Sequence, residues 1–335
     1  MDYYIKIASI NKAKEDVDHI NSLLGFINLV PERLGKGGMA RFMTKLLGCI
    51  RIITWMKRGD VLHLQYPMKK FYYLACVCAH AKGAKVVTLI HDLGAFRRHK
   101  LTPEQENKRL SKTDFLIVHN RTMKDYLIEH GFKGGIHCLE IFDFLSTRQT
   151  SNYNRTGKNW KVVYAGNLGK WRNEFLYKID MFANDWALDL YGKGFVNEEY
   201  QGEKLTYHGF MNSDDFIGCI KADFGLVWDG DSENECRGDW GEYLMINNPH
   251  KTSFYIRAGI PVIVWSKAAM APFVKEANIG IVVDTLYDID KTLNNMTEEE
   301  YAAKKKAALD MSRQLNDGYF IKQGYNNAHS YIDLD

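Results

Sequence analysis

The 335-residue sequence lacks several features that would assign it to a class directly. Its six cysteines form no Cys-x-x-Cys pair and no zinc-finger spacing with histidine, so we expect reduced core thiols rather than disulfides or structural zinc. No apolar run reaches the roughly 18 residues that a membrane-spanning helix requires. The N-terminal segment MDYYIKIASINKAKED has no basic stretch followed by an apolar one. We therefore expect no secretory signal and a cytoplasmic protein.

Signatures of nucleic-acid and dinucleotide binding are also absent. The sequence contains no RRM, KH, helix-turn-helix or arginine-rich motif, which argues against a nucleic-acid partner. The first predicted strand is followed by SINKAK instead of a Gly-x-Gly-x-x-Gly turn. A dehydrogenase would carry its cofactor-binding turn at that place, so this class is excluded.

The charges that are present divide unevenly along the chain. The formal net charge is +3, but residues 1–150 carry 24 Lys and Arg against 14 Asp and Glu, whereas the remainder carries 20 against 27. This asymmetry predicts that the first half meets something anionic, either a membrane surface or a phosphorylated ligand.

Short apolar runs alternate with helical stretches through both halves, a rhythm typical of parallel α/β sheets. The runs predict strands at 3–9, 25–30, 60–66, 84–90, 114–119, 135–141, 160–166, 186–192, 204–210, 223–229, 260–265 and 279–284. A polar stretch at 146–158 is the best linker candidate. The sequence therefore predicts two Rossmann-like domains, 1–150 and 151–316, followed by a C-terminal helix over 317–335.

A glycine turn in the segment VVYAGNLGKWR (162–172) joins a predicted strand to a predicted helix. Backbone N–H groups at such a helix start, with Lys170 and Arg172 beside them, would bind a diphosphate. The alternative is that the same residues form only a plain glycine turn between a strand and a helix.

The segment NNPHKTSFYIRAGIPVIV (247–264) places Asn247, Asn248, His250 and Lys251 at a predicted helix start. Pro249 suits the first turn of that helix. A lysine there opposes the helix dipole unless an anion is bound, which is the kind of local conflict expected at a functional site. A solvated lysine is the alternative.

This second segment, as N-x-P-H-K-x3-Y-x2-AGIPVIV, resembles the donor-site helix of glycosyltransferases with the two-domain GT-B fold. The closest resemblance is to bacterial O-antigen galactofuranosyltransferases and to the glucosyltransferases that extend glycans on serine-rich streptococcal adhesins. The segments VVYAGNLGK, LYGKG (190–194) and YHGF (207–210) occur in the same order in those enzymes. The resemblance implies two Rossmann-like domains facing each other across a cleft, with the C-terminal helix crossing back to the first.

The resemblance also implies roles for residues of the second domain, with a UDP-sugar as donor substrate and no cofactor or metal. The turn 166–170 would meet the diphosphate, and backbone atoms near 191 and 207 would read the uracil edge. Lys251 would neutralise the leaving diphosphate. The implied donor-site residues are Gly166, Asn167, Lys170, Tyr191, Gly192, Tyr207, His208, Gly209, Asn248, His250, Lys251 and Thr252.

Two acidic patterns bear on the reaction. Asp229-Gly230-Asp231 is the one candidate for a metal-binding Asp-x-Asp motif, and its acid-rich loop reads instead as a donor-facing or solvated surface. Many retaining GT-B enzymes carry two glutamates eight apart before the donor-site helix. Glu235 and Glu242 are seven apart here, which favours an inverting displacement.

The first domain is expected to hold the acceptor. His91 and Asp92 follow a buried strand, where α/β sheets place ligand groups, and form the most plausible general base pair. The alternative is a core histidine beside an aspartate that caps a turn. The glycine-rich loop 34–41 would close over substrate or simply precede a helix, and Asn120 would be a cleft residue or an N-cap. The predicted acceptor-side residues are Lys36, Gly37, Gly38, Arg97 and Asn120.

Further alternatives stay open. The basic amphipathic segment 39–59 would lie on anionic lipid at the inner face of the cell membrane or pack on the sheet. A UDP-sugar epimerase, or a non-catalytic subunit that binds UDP-sugar for a partner transferase, would share the fold. The acceptor glycan, lipid-linked or protein-linked, and a homo-oligomer are not decided by the sequence.

Overall fold

A computed structural model describes residues 1–6, 11–30, 37–68, 71–97 and 101–334, without the side chains of Arg41 and Arg97. The chain divides into two units, Met1–Leu139 with Gly318–Asp335 and Glu140–Asp317. No helix in these ranges is both long enough and apolar enough to cross a bilayer.

The first unit contains a six-stranded sheet in the order β2-β1-β3-β4-β5-β6, and its paired strands all run parallel. Its strands are β1 Asp2–Tyr4, β2 Ile27–Asn28, β3 Val61–Tyr66, β4 Lys85–Ile90, β5 Phe115–Val118 and β6 Gly135–Cys138. Its helices are α1 Lys12–Leu23, α2 Gly38–Trp55, α3 Phe71–Ala81, α4 Gly94–Arg97, α5 Pro103–Leu110, α6 Arg121–Glu129 and, from the end of the chain, α13 Tyr319–Ile332.

The second unit contains a six-stranded parallel sheet in the order β12-β11-β10-β7-β8-β9. Its strands are β7 Trp160–Asn167, β8 Trp186–Lys193, β9 Leu205–Tyr207, β10 Phe224–Val227, β11 Val262–Trp265 and β12 Gly280–Val283. Its helices are α7 Ser213–Cys219, α8 Gly238–Glu242, α9 His250–Arg257, α10 Ala271–Glu276, α11 Asp288–Asn294 and α12 Glu298–Asn316, with 3₁₀ helices at Glu174–Met181, Asn197–Glu199 and Tyr243–Met245.

The strand order of the second unit fixes where a ligand would bind. When β7 is counted as the first strand of the unit, the strand order is 6-5-4-1-2-3, which is the order of the Rossmann fold. The direction of winding reverses between β7 and β10. Open α/β sheets bind ligands beyond the carboxyl ends of the strands at this switch point. Asn167 ends β7 and Asp229 follows β10, so both lie at that edge.

Each of the twelve predicted strands has a counterpart in the structure, although residues 7–9 of the first lie outside the described residues, and the predicted α/β class is confirmed. The sequence placed the domain division at residue 150, whereas the chain leaves the first unit at Leu139. Residues 140–150 bond within the second unit instead: Phe144 N–H donates to Leu315 O at 3.2 Å, and Ser146 N–H donates to Asn316 Oδ1 at 2.8 Å. Asp317 ends this unit, and α13 belongs to the first.

Helix α13 is tied to the sheet of the first unit by a charged cluster. One carboxylate oxygen of Asp2 lies 2.8 Å from Nε2 of His63 and 2.7 Å from Nε2 of His329. Hydrogen bonds from both imidazoles hold the pKa of Asp2 well below its usual range although burial opposes this, so the carboxylate accepts from both rings. His63 is buried and stacks on Phe26, with ring centroids 4.5 Å apart. The cluster joins β1, β3 and α13.

Replacing Asp2 with alanine is expected to lower the free energy of unfolding of the first unit by about 1–3 kcal/mol. The reason is that the buried N–H of His63 loses its acceptor. Urea unfolding followed by circular dichroism measures this change. Glu129→Ala, which removes an exposed carboxylate of α6 in the same unit, is the control. Equal stability of the two variants would show that the cluster contributes nothing.

Candidate active site

Helix α9 begins beside the switch point of the second unit because one glycine lets it pack closely. Tyr255 of α9 is fully buried against β10, and a Cβ atom at Gly225 would lie 2.4 Å from its ring. Its hydroxyl accepts a hydrogen bond of 2.7 Å from Ala165 N–H of β7. These contacts place the start of α9 beside the end of β7, where a Cβ atom on Gly166 would lie 3.7 Å from Cε of Lys251.

Asp229 is the centre of a buried charged cluster at this edge. Its Oδ1 accepts from Tyr164 Oη at 3.2 Å and from Nε and Nη2 of Arg172 at 3.2 and 3.1 Å. Nζ of Lys251 lies 3.7 Å from the same oxygen and 3.8 Å from the ring centroid of Tyr164. Two cations share one carboxylate, so the cluster keeps an excess positive charge suited to an anion.

Burial lowers the pKa of Lys251 to about 8, because removing the ammonium from water disfavours its charged form. Asp229 opposes this shift and Arg172 adds to it. Phosphate oxygens beside the ammonium would restore the charged form. A lysine held in this state gains more from an anionic ligand than an exposed lysine does.

The turn after β7 differs from the prediction. No α-helix follows it directly: residues 168–173 form a turn and a 3₁₀ helix begins at Glu174, so the expected helix N-terminus is not beside Gly166. Asn167 closes the turn by accepting from Gly169 N–H at 2.9 Å. The predicted Lys170 is exposed and pairs with Glu199 at 2.7 Å. Its neighbour Arg172 is the cation that joins the charged cluster.

The predicted nucleoside-binding residues are brought together at the ends of β8 and β9. The ring of His208 stacks on Tyr191, with centroids 4.7 Å apart and an angle of 9° between planes. Gly192 N–H donates to Gly209 O at 2.8 Å, and the Tyr207 hydroxyl donates to Gly192 O at 3.1 Å. Gly192 has φ 151°, and a Cβ atom on it would lie 1.9 Å from Gly166 O. The two predicted turns, after β7 and β8, are therefore in direct contact.

The other predicted residues around α9 support its position. Asn248 Nδ2 donates to Glu140 O at 2.6 Å, and His250 stacks on Phe144 with centroids 4.9 Å apart. The side chain of Thr252 is fully buried and donates to the sulfur of Met270 at 3.1 Å. The side chains of Asn248, His250 and Thr252 therefore hold α9 in place, whereas the side chain of Lys251 joins the charged cluster.

Both carboxylates of the Asp-x-Asp candidate are engaged by arginine side chains. Asp229 is held by Arg172, and Asp231 lies 2.6 Å from Nε of Arg237. A metal ion at this motif would compete with an arginine for each carboxylate. The charge of the two arginines favours an anion at this edge.

In the first unit, His91 lies at the carboxyl edge of the sheet and is held through Gln65. Its Nε2 is 2.7 Å from Oε1 of Gln65, whose Nε2 donates to Asp18 Oδ1 at 2.7 Å. Because the amide nitrogen faces Asp18, the amide oxygen accepts from His91, and the proton of neutral His91 is on Nε2. In this tautomer Nδ1 is the unprotonated nitrogen of the ring. His91, Gln65 and Asp18 are all buried.

Asp92 is half-buried, and its carboxylate interacts electrostatically with His119. Burial lowers the pKa of His119 to about 4, and the carboxylate of Asp92 opposes this shift. The predicted base pair therefore lies beside two further polar residues of the sheet edge, Gln65 and His119.

The remaining acceptor-side residues have separate places. Asn120 is the N-cap of α6, where its side chain accepts from Met123 N–H at 2.9 Å, as the capping alternative expected. Gly37 is the N-cap of α2 with φ 117°, and Gly38 is its first residue. Lys36 lies outside the described residues. Arg97 ends α4, and its side chain is likewise outside them.

Sequence reasoning missed the organising role of Asp229 and the contribution of Tyr164. Trp240 was also missed, and its ring centroid lies 3.9 Å from the guanidinium carbon of Arg172. The available signal was the position of Asp229 two residues after a buried strand, at the edge where Gly166 also lies.

Comparisons with known proteins cover both units. The family model for the N-terminal domain of glucosyltransferase 3-like proteins matches residues 6–141, and that for the C-terminal domain matches residues 162–328. The β-1,6-galactofuranosyltransferase WbbI of Escherichia coli (strain K12) is 29% identical over 315 residues, 93% of this chain and 91% of that protein. Glucosyltransferase 3 of Streptococcus gordonii is 27% identical over 79% of this chain and 78% of its own.

Solved structures show the same fold. The lipopolysaccharide outer core galactosyltransferase WaaB in its apo form superimposes with a TM-score of 0.64 and 11% identity, over 98% of this chain and 99% of that one. A sucrose-phosphate synthase from Thermosynechococcus elongatus gives 0.61 and 13%, over 99% and 98%. The predicted GT-B fold and the resemblance stated from the motifs are confirmed.

Proposed function

The chain belongs to the glucosyltransferase 3-like family of glycosyltransferases, and we propose that it transfers a hexosyl group from a UDP-sugar to a hydroxyl of a glycan acceptor. Galactofuranose and glucose are the favoured sugars, because the similar proteins named above are a galactofuranosyltransferase and a glucosyltransferase. The observation that carries the proposal is the cluster of Lys251 and Arg172 around Asp229 at the switch point of the second unit.

The donor would bind to the second unit through charges and backbone groups. As the sugar–phosphate bond breaks, negative charge develops on the leaving diphosphate, and preorganised cations in a water-poor site stabilise that charge strongly. Lys251 and Arg172 supply this role. The nucleoside would occupy the ends of β8 and β9, where Tyr191 and His208 stack.

The transfer would proceed with inversion and without a metal. In an inverting displacement one base takes the proton of the acceptor hydroxyl as it attacks the anomeric carbon. Asp92 and His91 of the first unit are assigned this step. Metal independence is supported by the two arginines that neutralise Asp229 and Asp231.

A screen for UDP release across UDP-sugars, with and without acceptor glycosides, tests this function. UDP-galactofuranose and UDP-glucose are the first donors to compare, and we expect release that depends on the acceptor. An epimerase would convert the UDP-sugar without releasing UDP. A non-catalytic subunit would bind UDP by calorimetry and show no turnover. Either of those results would overturn the proposal.

Chelation by EDTA is expected to leave the transfer rate unchanged within about twofold, because side-chain cations do the work that a metal does in metal-dependent transferases. The measurement is acceptor-dependent UDP release before and after dialysis against EDTA. Loss of turnover that manganese or magnesium restores would instead assign an ion to the Asp229–Asp231 loop.

The pH dependence of kcat/KM is expected to fall on the alkaline side near pH 8, where the ammonium of Lys251 loses its proton in the free enzyme. The fall of kcat should lie at higher pH, because the bound diphosphate stabilises the ammonium. Lys251→Arg, whose guanidinium does not titrate in this range, should lack the fall near pH 8. If that variant keeps the same profile, Lys251 is not the group that titrates.

A further inference from the structure

Two neighbouring helices of the first unit present apolar side chains to solvent. On α2, Met39, Met43, Ile50 and Ile53 are 75%, 42%, 47% and 49% exposed. Their spacing of four, seven and three residues places them along one stripe of the helix. On α3, Leu74 and Val77 are 40% and 42% exposed. Together these six residues form the apolar face of α2 and α3.

The apolar face is additional to the surface by which α2 packs in its own unit. Cys49, Ile52 and Met56 are buried, and the ring of Phe42 contacts that of Phe71 on α3 at 5.3 Å between centroids. The helix is therefore packed in the unit, as one of the two sequence alternatives expected. A second apolar stripe remains exposed, and large exposed apolar patches mark interaction sites.

The charges around the face identify the kind of partner. Residues 38–60, which contain α2 and the turn after it, have five Lys and Arg and one acidic residue, Asp60. Asp60 already pairs with the N-terminal ammonium at 3.1 Å. Lys57 and Arg58 come after Met56, the C-cap of α2, and are exposed. A second copy of the chain docked through the same face would bring two such positive surfaces together, so the partner is anionic.

Amphipathic aromatic side chains are exposed on the same two helices. Trp55, at the end of α2, is 45% exposed, and the guanidinium carbon of Arg51 lies 4.7 Å from its ring centroid. Tyr73 on α3 is 51% exposed. Tryptophan and tyrosine beside basic residues are typical of the boundary between lipid headgroups and acyl chains, where the ring is buried and its polar end stays wet.

We propose that the apolar face of α2 and α3, with its surrounding lysines and arginines, docks the protein on an anionic lipid bilayer. The apolar stripes enter the boundary of the acyl region and the basic side chains contact the headgroups, as in other peripheral amphipathic helices. This docking is independent of the transfer chemistry assigned to the protein.

Sedimentation of the full chain with vesicles tests the docking. Vesicles of phosphatidylcholine with about 30% phosphatidylglycerol are expected to bind the protein, and pure phosphatidylcholine vesicles much less. Binding should weaken as salt is raised, because the headgroup contacts are exposed to solvent. Equal binding to both vesicle types, or none to the anionic ones, would overturn the proposal.

Two double variants separate the apolar and basic contributions. Ile50→Ser with Ile53→Ser, and Lys57→Glu with Arg58→Glu, are each expected to lower the partition coefficient by about tenfold or more. Ile128→Ser, at a 49% exposed isoleucine of α6, and Lys133→Glu are the matched controls and should bind like the unmodified protein.

Analytical ultracentrifugation without lipid completes the test. The serine double variant and the unmodified protein are expected to have the same oligomeric state. If the unmodified chain is a dimer that these serines dissociate, the face binds a second copy and the lipid proposal is wrong. Transfer to a soluble acceptor should be unchanged in all four variants, since none of the altered residues belongs to the candidate active site.

Discussion

Lys251→Ala is expected to lower kcat/KM for transfer by about 100-fold or more. Removing one group that stabilises developing charge in a preorganised site commonly costs about 3–4 kcal/mol. The free energy of unfolding should change little, because Asp229 keeps its hydrogen bonds from Arg172 and Tyr164. Steady-state kinetics with saturating acceptor, together with thermal unfolding, measure the two effects.

Lys221→Ala, at an exposed lysine of the same unit, is the control and should retain the unmodified rate. A Lys251→Ala enzyme with kcat/KM within about threefold of that control would remove the leaving-group role. Arg172→Ala should reduce the rate as well. Because Arg172 and Lys251 share Asp229, the effects of the two substitutions should not add in the double variant.

The strands were predictable because of how parallel sheets are buried. Strands covered on both faces read as nearly continuous apolar runs, and VLHLQY and KVVTLI are two such runs that appear as β3 and β4. The carboxyl edges of these strands then follow from chain direction alone. This is why the sequence placed His91, Asp92 and Gly166 at the correct edges of their sheets.

The charged cluster was not predictable in the same way. Lys170 and Arg172 are two residues apart on one turn, and the choice between them depends on the exact path of that turn. The structure replaces the expected α-helix start with a turn that points Lys170 to Glu199 and Arg172 to Asp229. Asp229 and Arg172 are 57 residues apart in sequence. No local spacing rule connects residues at such a distance.

The partners of the predicted base pair were not predictable from the sequence either. The sequence placed His91 beside Asp92 and had no means of finding Gln65, which reaches His91 from the neighbouring strand β3. Gln65 and Asp18 fix the proton of neutral His91 on Nε2. They also provide a buried acceptor chain that would stabilise the imidazolium if His91 took a proton on Nδ1, the role that a carboxylate has in hydrolytic triads.

The largest effect in the first unit is expected from Asp92→Asn. If the carboxylate takes the acceptor proton, this change keeps the volume of the side chain but abolishes proton uptake. General-base catalysis contributes about 10²- to 10⁴-fold, so the transfer rate should fall by that factor. Binding of the UDP-sugar, assigned to the second unit, should be unchanged by calorimetry. Asp125→Asn, at an exposed carboxylate of α6 in the same unit, is the matched control.

His91→Ala distinguishes the two candidates for the base. If His91 is the base, its replacement should produce the full loss, and Asp92→Asn a smaller one. Gln65→Leu should then also reduce kcat, because the proton of His91 is no longer fixed on Nε2, and the acidic side of the pH profile should move. If Asp92 is the base, Gln65→Leu should leave that profile in place. Should Asp92→Asn and His91→Ala both keep more than about a tenth of the rate, the base lies elsewhere, because neither group then contributes as much as general-base catalysis requires.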